Sequence, residues 1–320
     1  MAIVQCVPNI SEGRDEKKIE AIVEPLKNQK GFSLVGYEPD KDYNRTVITL
    51  IGDPSSMHEP ILKFIEKAHE LIDMRLHEGE HPRMGAVDVL PFIPIEDIDM
   101  EECKNIAEEM GNAVSKRFNI PVFLYGEAAK TKSRKRLPNI RKGEFEAMKE
   151  KIKETQWAPD YGPSAIDETF GVLAIGARLP LIAYNIDLNT QDMDVAKRIA
   201  RSIRGSSGGF KHIQAGPVFL SERGHAQVTM NILNYKQNPI YRVLETVKME
   251  AARDQVEVPS SEIVGLVPKD ALVRSINYYM KRDRMTMNDS ADYDTLAHYA
   301  TNILGFRDFT KAKIIEANIE

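Results

Sequence analysis

The chain has 320 residues, 42% of them apolar and 28% charged, which is typical of a soluble globular protein of about two domains rather than of a disordered one. Its net charge of −5 argues against general nucleic-acid binding, and two cysteines are too few for a disulfide framework. Because no segment has the roughly 18 apolar residues of a membrane span or the pattern of a signal peptide, we expect a cytoplasmic protein without a membrane partner.

Hydrophobic periodicity predicts strand, helix, strand, strand, helix and strand over the first hundred residues. The strands are expected at 3–7, 32–37, 46–51 and 87–95, and the helices at 15–27 and from 54 to about 76. That order is the βαββαβ, or ferredoxin-like, unit. A helix at 100–117, a strand at 120–125 and a polar stretch of loops and short helices up to residue 157 follow.

The second half repeats this pattern after a break. Prolines, a glycine and aromatic residues at 157–163 indicate a connector. Strands at 181–186, 212–220, 226–233 and 263–267 and helices at 192–203 and 239–252 come after it. We therefore predict an α+β protein of two ferredoxin-like subdomains, 1–180 and 181–320, whose sheets face each other across a ligand cleft.

One short motif suggests a metal site. Residues 77–81 match the H-E-x-x-H pattern of zinc peptidases, which binds zinc only on a regular helix. Gly79 lies between the two histidines, and Pro82 disfavours helical backbone at His81. We expect the helix to end near Leu76 and the protein to hold no metal. A zinc metallopeptidase stays an alternative that bound zinc and loss of activity on chelation would reveal.

The most basic segment, residues 127–142, is either a solvated loop or an electropositive rim that attracts a carboxylate-rich small molecule. A polyanion-binding module is a further alternative, but few aromatic residues are interleaved for stacking on nucleic acid. Strand ends and loops tend to carry binding groups. Candidate substrate ligands in such places are Asn9, Ser11, Asp40 and Arg45.

Histidine acid–base catalysis is the chemistry that the sequence favours. No serine lies in a G-x-S-x-G elbow and neither cysteine has a histidine nearby in the sequence, so a covalent nucleophile is not indicated. An unperturbed imidazole titrates near neutral pH, which suits His81 for proton transfer. Arg83 is a candidate to orient His81 or to pair with a carboxylate, and Asp88 is a candidate to support the histidine.

Long motifs along the chain resemble the formiminotransferase domain of the formiminotransferase-cyclodeaminase family. They cover nearly the whole chain in order, and no cyclodeaminase half is expected. The motifs are CVPNISEG at 6–13, NRTV at 44–47, GEHPRMGAVDV at 79–89, LYGEAA at 124–129, LPNIRKGE at 137–144, WAPDYGPS at 157–164 and LIAYNI at 181–186.

The resemblance implies an activity and a site. The formimino group of N-formimino-L-glutamate passes to N5 of tetrahydrofolate, the co-substrate, which lies in a tunnel between two subdomains of a homodimeric protein. A folate-dependent glutamate formyltransferase is the alternative, because folate and leaving group are shared. The catalytic histidine corresponds to His81, and Phe170 is expected to offer an aromatic face. The folate-binding segment, whose middle departs from the mammalian pattern, corresponds to Gly162, Pro163, Ser164, Ala165, Ile166, Asp167, Glu168, Thr169, Phe170 and Gly171.

Overall fold

A computed structural model gives the positions of residues 1–285 and 291–319. They form two units, Met1–Arg178 and Leu179–Asn318, and each unit has its own β-sheet and its own hydrophobic core. The predicted α+β class with two ferredoxin-like sheets is confirmed.

The first unit is a mixed sheet with helices against it. Its elements are β1 (Ile3–Cys6), β2 (Asn9–Ile10), α1 (Glu16–Val23), β3 (Phe32–Asp40), β4 (Arg45–Gly52), α2 (Pro54–Leu71), β5 (Val87–Glu96), α3 (Met100–Phe118), β6 (Val122–Gly126), α4 (Leu137–Arg141), α5 (Glu144–Lys151) and β7 (Leu173–Ala177). The antiparallel part of the sheet has the ferredoxin-like order β3, β4, then the successive strands β1 and β2, then β5. Two parallel strands, β7 and β6, extend the sheet beyond β5.

Caps and apolar faces explain why these helices form where they do. Asp53 caps α2, and Pro54 occupies its first turn, where no backbone N–H is needed. Asp99 begins α3 with a capping box. The apolar sides of α1, α2 and α3 pack around buried side chains such as Phe64 and Phe92 to make the main core of the unit.

A smaller apolar cluster forms apart from that core. Val89, Phe123 and Ala174, from β5, β6 and β7, belong to it together with Ile140 of α4 and Met148 of α5. Ala174 is the register partner of Val89 on one side and of Phe123 on the other, so the three residues share one face of the sheet. The candidate active site lies beside this cluster.

The second unit also has an antiparallel sheet with helices against it. Its elements are β8 (Ile182–Asp187), α6 (Met193–Ile203), β9 (Ile213–Leu220), β10 (His225–Ile232), α7 (Ile240–Ala252), β11 (Ser261–Val264), α8 (Lys269–Arg282) and α9 (Tyr293–Leu304). The strands lie in the order β11-β8-β10-β9. The helices bury apolar faces in a second core, and α8 and α9 pack against each other after the last strand.

Three local predictions need correction. Segment 157–163 is not a connector between the units, because the Asp160 carboxylate accepts a hydrogen bond from Leu124 N–H (2.7 Å) and ties the segment to β6. The pattern also does not predict β7, which is buried along its whole length and therefore lacks polar alternation. Finally, α2 ends at Leu71, and Met74–Leu76 is a separate 3-10 turn.

Both cysteines are buried and unpaired in the first unit. Burial raises the pKa of Cys6 and of Cys103, and the thiolate is the nucleophilic form, so neither is activated. None of the helices within residues 1–285 and 291–319 is long and apolar enough to cross a membrane.

A glycine at the end of β4 gives a test of the fold. Gly52 has a φ of +150°, and a Cβ there would lie 2.4 Å from Phe32 Cα. We expect Gly52→Ala to lower the free energy of unfolding by about 1–3 kcal/mol through backbone strain and overpacking. A Cβ at Gly36 of β3 meets no atom within 4 Å, so Gly36→Ala is the control, with a change within about 0.5 kcal/mol. Urea unfolding midpoints check this, and equal midpoints would contradict it.

Candidate active site

Asp88 lies at a bulge in β5. Asn9 of β2 is opposite Val89, but the next residue, Ile10, is opposite Val87, so Asp88 is an extra residue in the strand. A regular strand alternates its side chains between two faces, and the bulge interrupts that alternation. The position of the Asp88 side chain therefore does not follow from strand periodicity.

The Asp88 carboxylate is fully buried and is held by three groups. Oδ1 accepts a hydrogen bond from Met84 N–H at 2.8 Å, while Oδ2 accepts one from Arg141 Nη2 and lies 3.6 Å from His81 Nε2. Burial disfavours the charged form, but Arg141 and His81 outweigh it and hold the pKa of Asp88 below its ordinary value. The carboxylate is therefore ionised at neutral pH.

His81 is 5% exposed and lies in a turn without regular structure. Its backbone N–H donates to the Tyr43 carbonyl oxygen at 3.4 Å. Its Nε2 is buried and hydrogen-bonds none of the residues that the structure describes, since 3.6 Å to Asp88 is an ion-pair distance. An imidazole placed in this way can take up a proton, and the carboxylate stabilises the imidazolium that results.

The other histidine of the H-E-x-x-H motif has a structural role. His77 Nε2 lies 2.9 Å from the Asn44 carbonyl oxygen and Nδ1 accepts from Arg83 Nε at 3.1 Å, which requires the neutral tautomer protonated at Nε2. Burial lowers the pKa of His77, in keeping with that form. Residues 77–86 contain no helix, and α2 ends at Leu71 rather than near Leu76, so the motif lacks the geometry of a zinc peptidase.

Arg83 is occupied by protein carboxylates. Its Nη1 donates to Glu144 at 2.8 Å and its Nη2 donates to Glu146 at 2.6 Å, while its carbonyl oxygen accepts from Phe145 N–H at 2.9 Å. The guanidinium thus fastens the turn that carries His81 to the start of α5. The carboxylates that pair with Arg83 therefore come from the protein. No substrate contact is assigned to Arg83.

Ser11 and Asp40 also hold the backbone. Ser11 Oγ donates to the Gly85 carbonyl oxygen at 2.8 Å. Asp40 Oδ1 accepts from the N–H groups of Asp42 and Tyr43, at 3.0 and 2.9 Å, and closes the turn between β3 and β4. Both side chains therefore shape the loops around the histidine.

Asn9 and Arg45 share the face of the sheet that carries Val89. Asn9 pairs with both Val89 and Val47, and Arg45 is two residues before Val47 in β4. Asn9 Oδ1 and Arg45 Nε are buried, and neither hydrogen-bonds within residues 1–285 and 291–319. Burial lowers the pKa of Arg45 by more than the charge of Asp40 raises it, and the charge of Arg141 lowers it further. These two candidates keep polar atoms available for a ligand.

Residues 162–171 end beside the turn that carries His81. Gly171 and Gly85 form an antiparallel bridge, and Val172 N–H donates to the Met84 carbonyl oxygen at 3.1 Å. A Cβ at Gly171 would lie 2.1 Å from Met84 O, and one at Gly85 would lie 2.2 Å from Val172 O. Two glycines therefore permit this close approach of distant segments.

Asp167 orders the end of this segment. Its Oδ1 accepts from the N–H groups of Thr169 and Phe170, at 2.9 and 2.8 Å, and its Oδ2 lies 3.2 Å from His69 Nε2. Phe170 is fully buried in the main core, 5.2 Å from the His69 ring. The expectation that Phe170 offers an aromatic face to a ligand is therefore wrong. The exposed residues of the segment are Gly162, Ser164, Ala165 and Glu168, and Pro163 and Ile166 are half-buried.

The basic segment 127–142 is largely neutralised. Arg134 is buried against a carboxylate, and Lys130 and Lys135 each pair with a glutamate. Arg141 is a fourth paired cation of this segment, and it is the one of the four that contacts the candidate active site, through Asp88. The sequence does not distinguish Arg141 from the other basic residues, because all of them stand in one run.

Lys151 positions Arg141. Its Nζ donates to the carbonyl oxygens of Asn139, Ile140 and Lys142, at 2.9, 2.7 and 3.1 Å, around the end of α4. Carbonyls at a helix end lack intrahelical partners, so the ammonium caps α4 and holds Arg141, its last residue. Sequence patterns do not predict these contacts.

The second unit contains a buried carboxylate of its own. Asp187 accepts from Ser260 Oγ (2.7 Å), Gln227 Nε2 (2.8 Å) and Arg307 Nε (3.0 Å), and His225 Nε2 lies 3.4 Å away. Burial opposes ionisation, but these partners hold the pKa of Asp187 below its ordinary value. The carboxylate is well satisfied, and we interpret the cluster as structural.

Comparison with known proteins places these features in a family. A family model of the N-terminal subdomain of the formiminotransferase domain matches residues 3–178, and a model of the formiminotransferase domain matches residues 183–320. The chain is 45% identical to glutamate formimidoyltransferase of Streptococcus pyogenes and 44% identical to that of Thermoplasma acidophilum, covering 87% and 88% of this chain and 93% of each relative. It is 41% identical to formimidoyltransferase-cyclodeaminase of Gallus gallus, covering 88% of this chain and 53% of that protein.

The buried pair of Asp88 and Arg141 predicts a dependence of stability on pH. The pKa of Asp88 is depressed in the folded state, so its contribution is present above the ordinary carboxyl pKa of about 4 and is lost as pH falls through the folded value. We expect Asp88→Asn to lower the free energy of unfolding by about 3–5 kcal/mol at pH 7, because it leaves Arg141 uncompensated.

The difference in the free energy of unfolding between wild type and Asp88→Asn is expected to become smaller in acid. Urea unfolding at several pH values measures this difference. The control is Glu150→Gln, which removes an exposed carboxylate paired with Lys153 and should leave the unfolding midpoint nearly unchanged. A gap that is constant from neutral pH into acid would show that Asp88 is not ionised in the folded protein.

Proposed function

The chain belongs to the formiminotransferase family, and on that basis we propose that it is a glutamate formimidoyltransferase. This one-carbon transferase moves the formimino group of N-formimino-L-glutamate to N5 of tetrahydrofolate and releases glutamate. The observation that carries the proposal for the site is a buried histidine, His81, whose Nε2 has no hydrogen-bond partner among the described residues and faces the carboxylate of Asp88.

The reaction needs a proton to move between two nitrogens. N5 of tetrahydrofolate attacks the amidine carbon and forms a tetrahedral intermediate, and N5 then carries a proton that it must lose. His81 takes this proton and returns it to the departing glutamate nitrogen, so that the N–C bond to glutamate breaks and glutamate leaves neutral at nitrogen. One imidazole serves both steps because the proton released by one nitrogen is the proton required by the other.

Asp88 is proposed as the positioning group for His81. Its negative charge, 3.6 Å from Nε2, stabilises the imidazolium that exists between the two proton transfers. Arg141 keeps the pKa of Asp88 low, so the carboxylate stays ionised and does not take the proton itself. The ion pair between Arg141 and Asp88 also offsets the cost of removing these two charges from water.

Tetrahydrofolate, as co-substrate, is proposed to lie along the exposed part of residues 162–171. Support comes from the bridge between Gly171 and Gly85, which joins this segment to the turn that carries His81. The exposed residues Ser164, Ala165 and Glu168 are available for contact, whereas Phe170 is not. No metal ion has a role in the proposed reaction.

The partners in this proposal are small molecules: formiminoglutamate and tetrahydrofolate or its polyglutamates. Neither nucleic acid nor membrane takes part. A homodimer and a cytoplasmic location stay predictions from the family resemblance and the composition.

A folate-dependent glutamate formyltransferase is the second candidate, because the same proton transfer serves a formyl donor that has the same leaving group. No contact among the residues that the structure describes favours the formyl oxygen over the formimino nitrogen, so the formimino donor is preferred on family membership. The zinc peptidase is disfavoured, since His77 is held by Asn44 and Arg83 away from any helix.

Substitution of the histidine tests its role. We expect His81→Ala to lower kcat by about 10²–10⁴-fold, the usual contribution of general acid–base catalysis, with tetrahydrofolate binding unchanged. His298→Ala, which removes an exposed histidine of α9, is the matched control and should retain full activity. Steady-state glutamate release and folate binding by fluorescence are the measurements. Turnover of His81→Ala within tenfold of wild type would remove His81 from the mechanism.

A coupled assay with two donors tests the reaction class. We expect glutamate release from formiminoglutamate to require tetrahydrofolate and to persist in EDTA, because the proposed chemistry uses an imidazole. Formylglutamate, assayed in parallel at equal concentration, should react more slowly. Faster reaction of the formyl donor would favour the formyltransferase, and loss of activity in EDTA that zinc restores would favour a metalloenzyme.

A further inference from the structure

Of the two guanidinium groups near Asp88, those of Arg45 and Arg141, only that of Arg141 is ion-paired with a described carboxylate. Arg141 donates to Asp88 through Nη2, and its Nε is buried without a hydrogen-bond partner among residues 1–285 and 291–319. The guanidinium of Arg45 makes no ion pair or hydrogen bond with the part of the chain that the structure describes, and its contact is the Tyr43 ring at 5.4 Å. The guanidinium of Arg45 is therefore left without an ion-pair partner among the described residues.

Arg45 is half-buried, and it differs in this respect from other buried or half-buried arginines of the protein. Arg83 pairs with two glutamates, Arg134 pairs with Asp160 at 2.9 Å, and Arg307 pairs with Asp187 at 3.0 Å. A buried charge without a partner is costly, so proteins usually provide the opposite charge. Asp40 is opposite Arg45 in the β3–β4 ladder, but no described carboxylate is within ion-pair distance of the Arg45 guanidinium, which suggests that a ligand provides the paired charge.

Electrostatics agree with this interpretation. Burial lowers the pKa of Arg45 and Arg141 acts on it as a like charge, and the opposite charge of Asp40 does not offset these two effects. Both effects would be relieved by an anion bound between the two guanidinium groups. A carboxylate is suited to this position because its two oxygens match the paired N–H groups of arginine.

Asn9 supplies a hydrogen-bond acceptor, whereas the two guanidinium groups supply donors. Its Oδ1 is a buried acceptor without a described hydrogen-bond partner, on the face of the sheet that it shares with Arg45. A ligand that satisfies all three side chains therefore has an anionic group and a nearby N–H donor. N-formimino-L-glutamate has both, in its α-carboxylate and its amidine nitrogen.

We propose that Arg45 and Arg141 bind the α-carboxylate of the glutamate substrate and thereby present its α-nitrogen to His81. The inference rests on the proposed function for the identity of the substrate. The α-carboxylate is chosen over the γ-carboxylate because it is the nearer of the two to the nitrogen that receives the proton. Arg141 and His81 contact the same oxygen of Asp88, so an anion on Arg141 lies next to the imidazole.

The test uses Arg45→Met, because Arg45 can be changed without breaking the ion pair of Asp88. Loss of one charge-assisted contact is expected to raise KM for formiminoglutamate about 10- to 100-fold, while KM for tetrahydrofolate stays within about twofold. Arg201→Met is the matched control, since it removes the same charge from an exposed position in the second unit and should leave both values unchanged.

Substrate analogues identify the carboxylate. Wild type should bind the α-carboxamide of formiminoglutamate more weakly than the parent compound, and this penalty should be smaller in Arg45→Met, where only Arg141 still contacts the carboxylate, as a double-mutant cycle measures. The assignment is overturned if the penalty for the γ-carboxamide shrinks in Arg45→Met and that for the α-carboxamide does not, or if Arg45→Met raises KM for tetrahydrofolate rather than KM for formiminoglutamate.

Stability separates a binding role from a structural one. Because Arg45 has no described ion pair, Arg45→Met should keep or raise the unfolding midpoint of the ligand-free protein, and a clear drop would show that the arginine is structural. Glutamate binding by calorimetry without folate gives a result independent of turnover. Binding that depends on Arg45 in a protein that transfers neither donor would uphold the subsite and reject the proposed function, whereas binding that ignores Arg45 would reject the subsite alone.

Discussion

The buried carboxylate of Asp88 holds the candidate active site together. Removing a carboxylate from water costs several kcal/mol, and here Met84 N–H, Arg141 and His81 offset that cost. The three groups come from the turn before β5 and from the end of α4. Ionisation of one side chain thus determines where the imidazole and a neighbouring guanidinium lie, and a neutral group at this position would leave both without a counter-charge.

The turn that carries His81 is restrained from several sides. Arg83 joins it to α5 through two glutamates, Ser11 joins it to the loop after β2, and the pair Gly85 and Gly171 joins it to residues 162–171. A group that passes a proton between two bound molecules must be held with little freedom, because small displacements reduce the rate steeply. The contacts that support the turn fit the role proposed for His81.

Much of the fold could be predicted from the sequence because each ferredoxin-like unit has one apolar side, and burial of that side imposes periods of 2 and 3.6 on the residues. β7 escaped prediction because it is buried on both faces and has no alternation to detect. Gly79 and Pro82 were enough to reject the zinc helix, since they act through local backbone geometry. Phe170 was misjudged, because its burial depends on packing against α2 and the sheet.

The sequence alone determined the family and most of the order of the elements, and it indicated His81 as the catalytic candidate, because these depend on local periodicity and on motifs of neighbouring residues. Only the tertiary structure decided what surrounds His81. It selected Arg141 from a run of basic residues as the partner of Asp88, used Arg83 for the turn, and left Arg45 without an ion pair among the described residues. The physical reason is that ion pairing depends on distance in space and on burial, and Asp88 and Arg141 are separated by 53 positions along the chain.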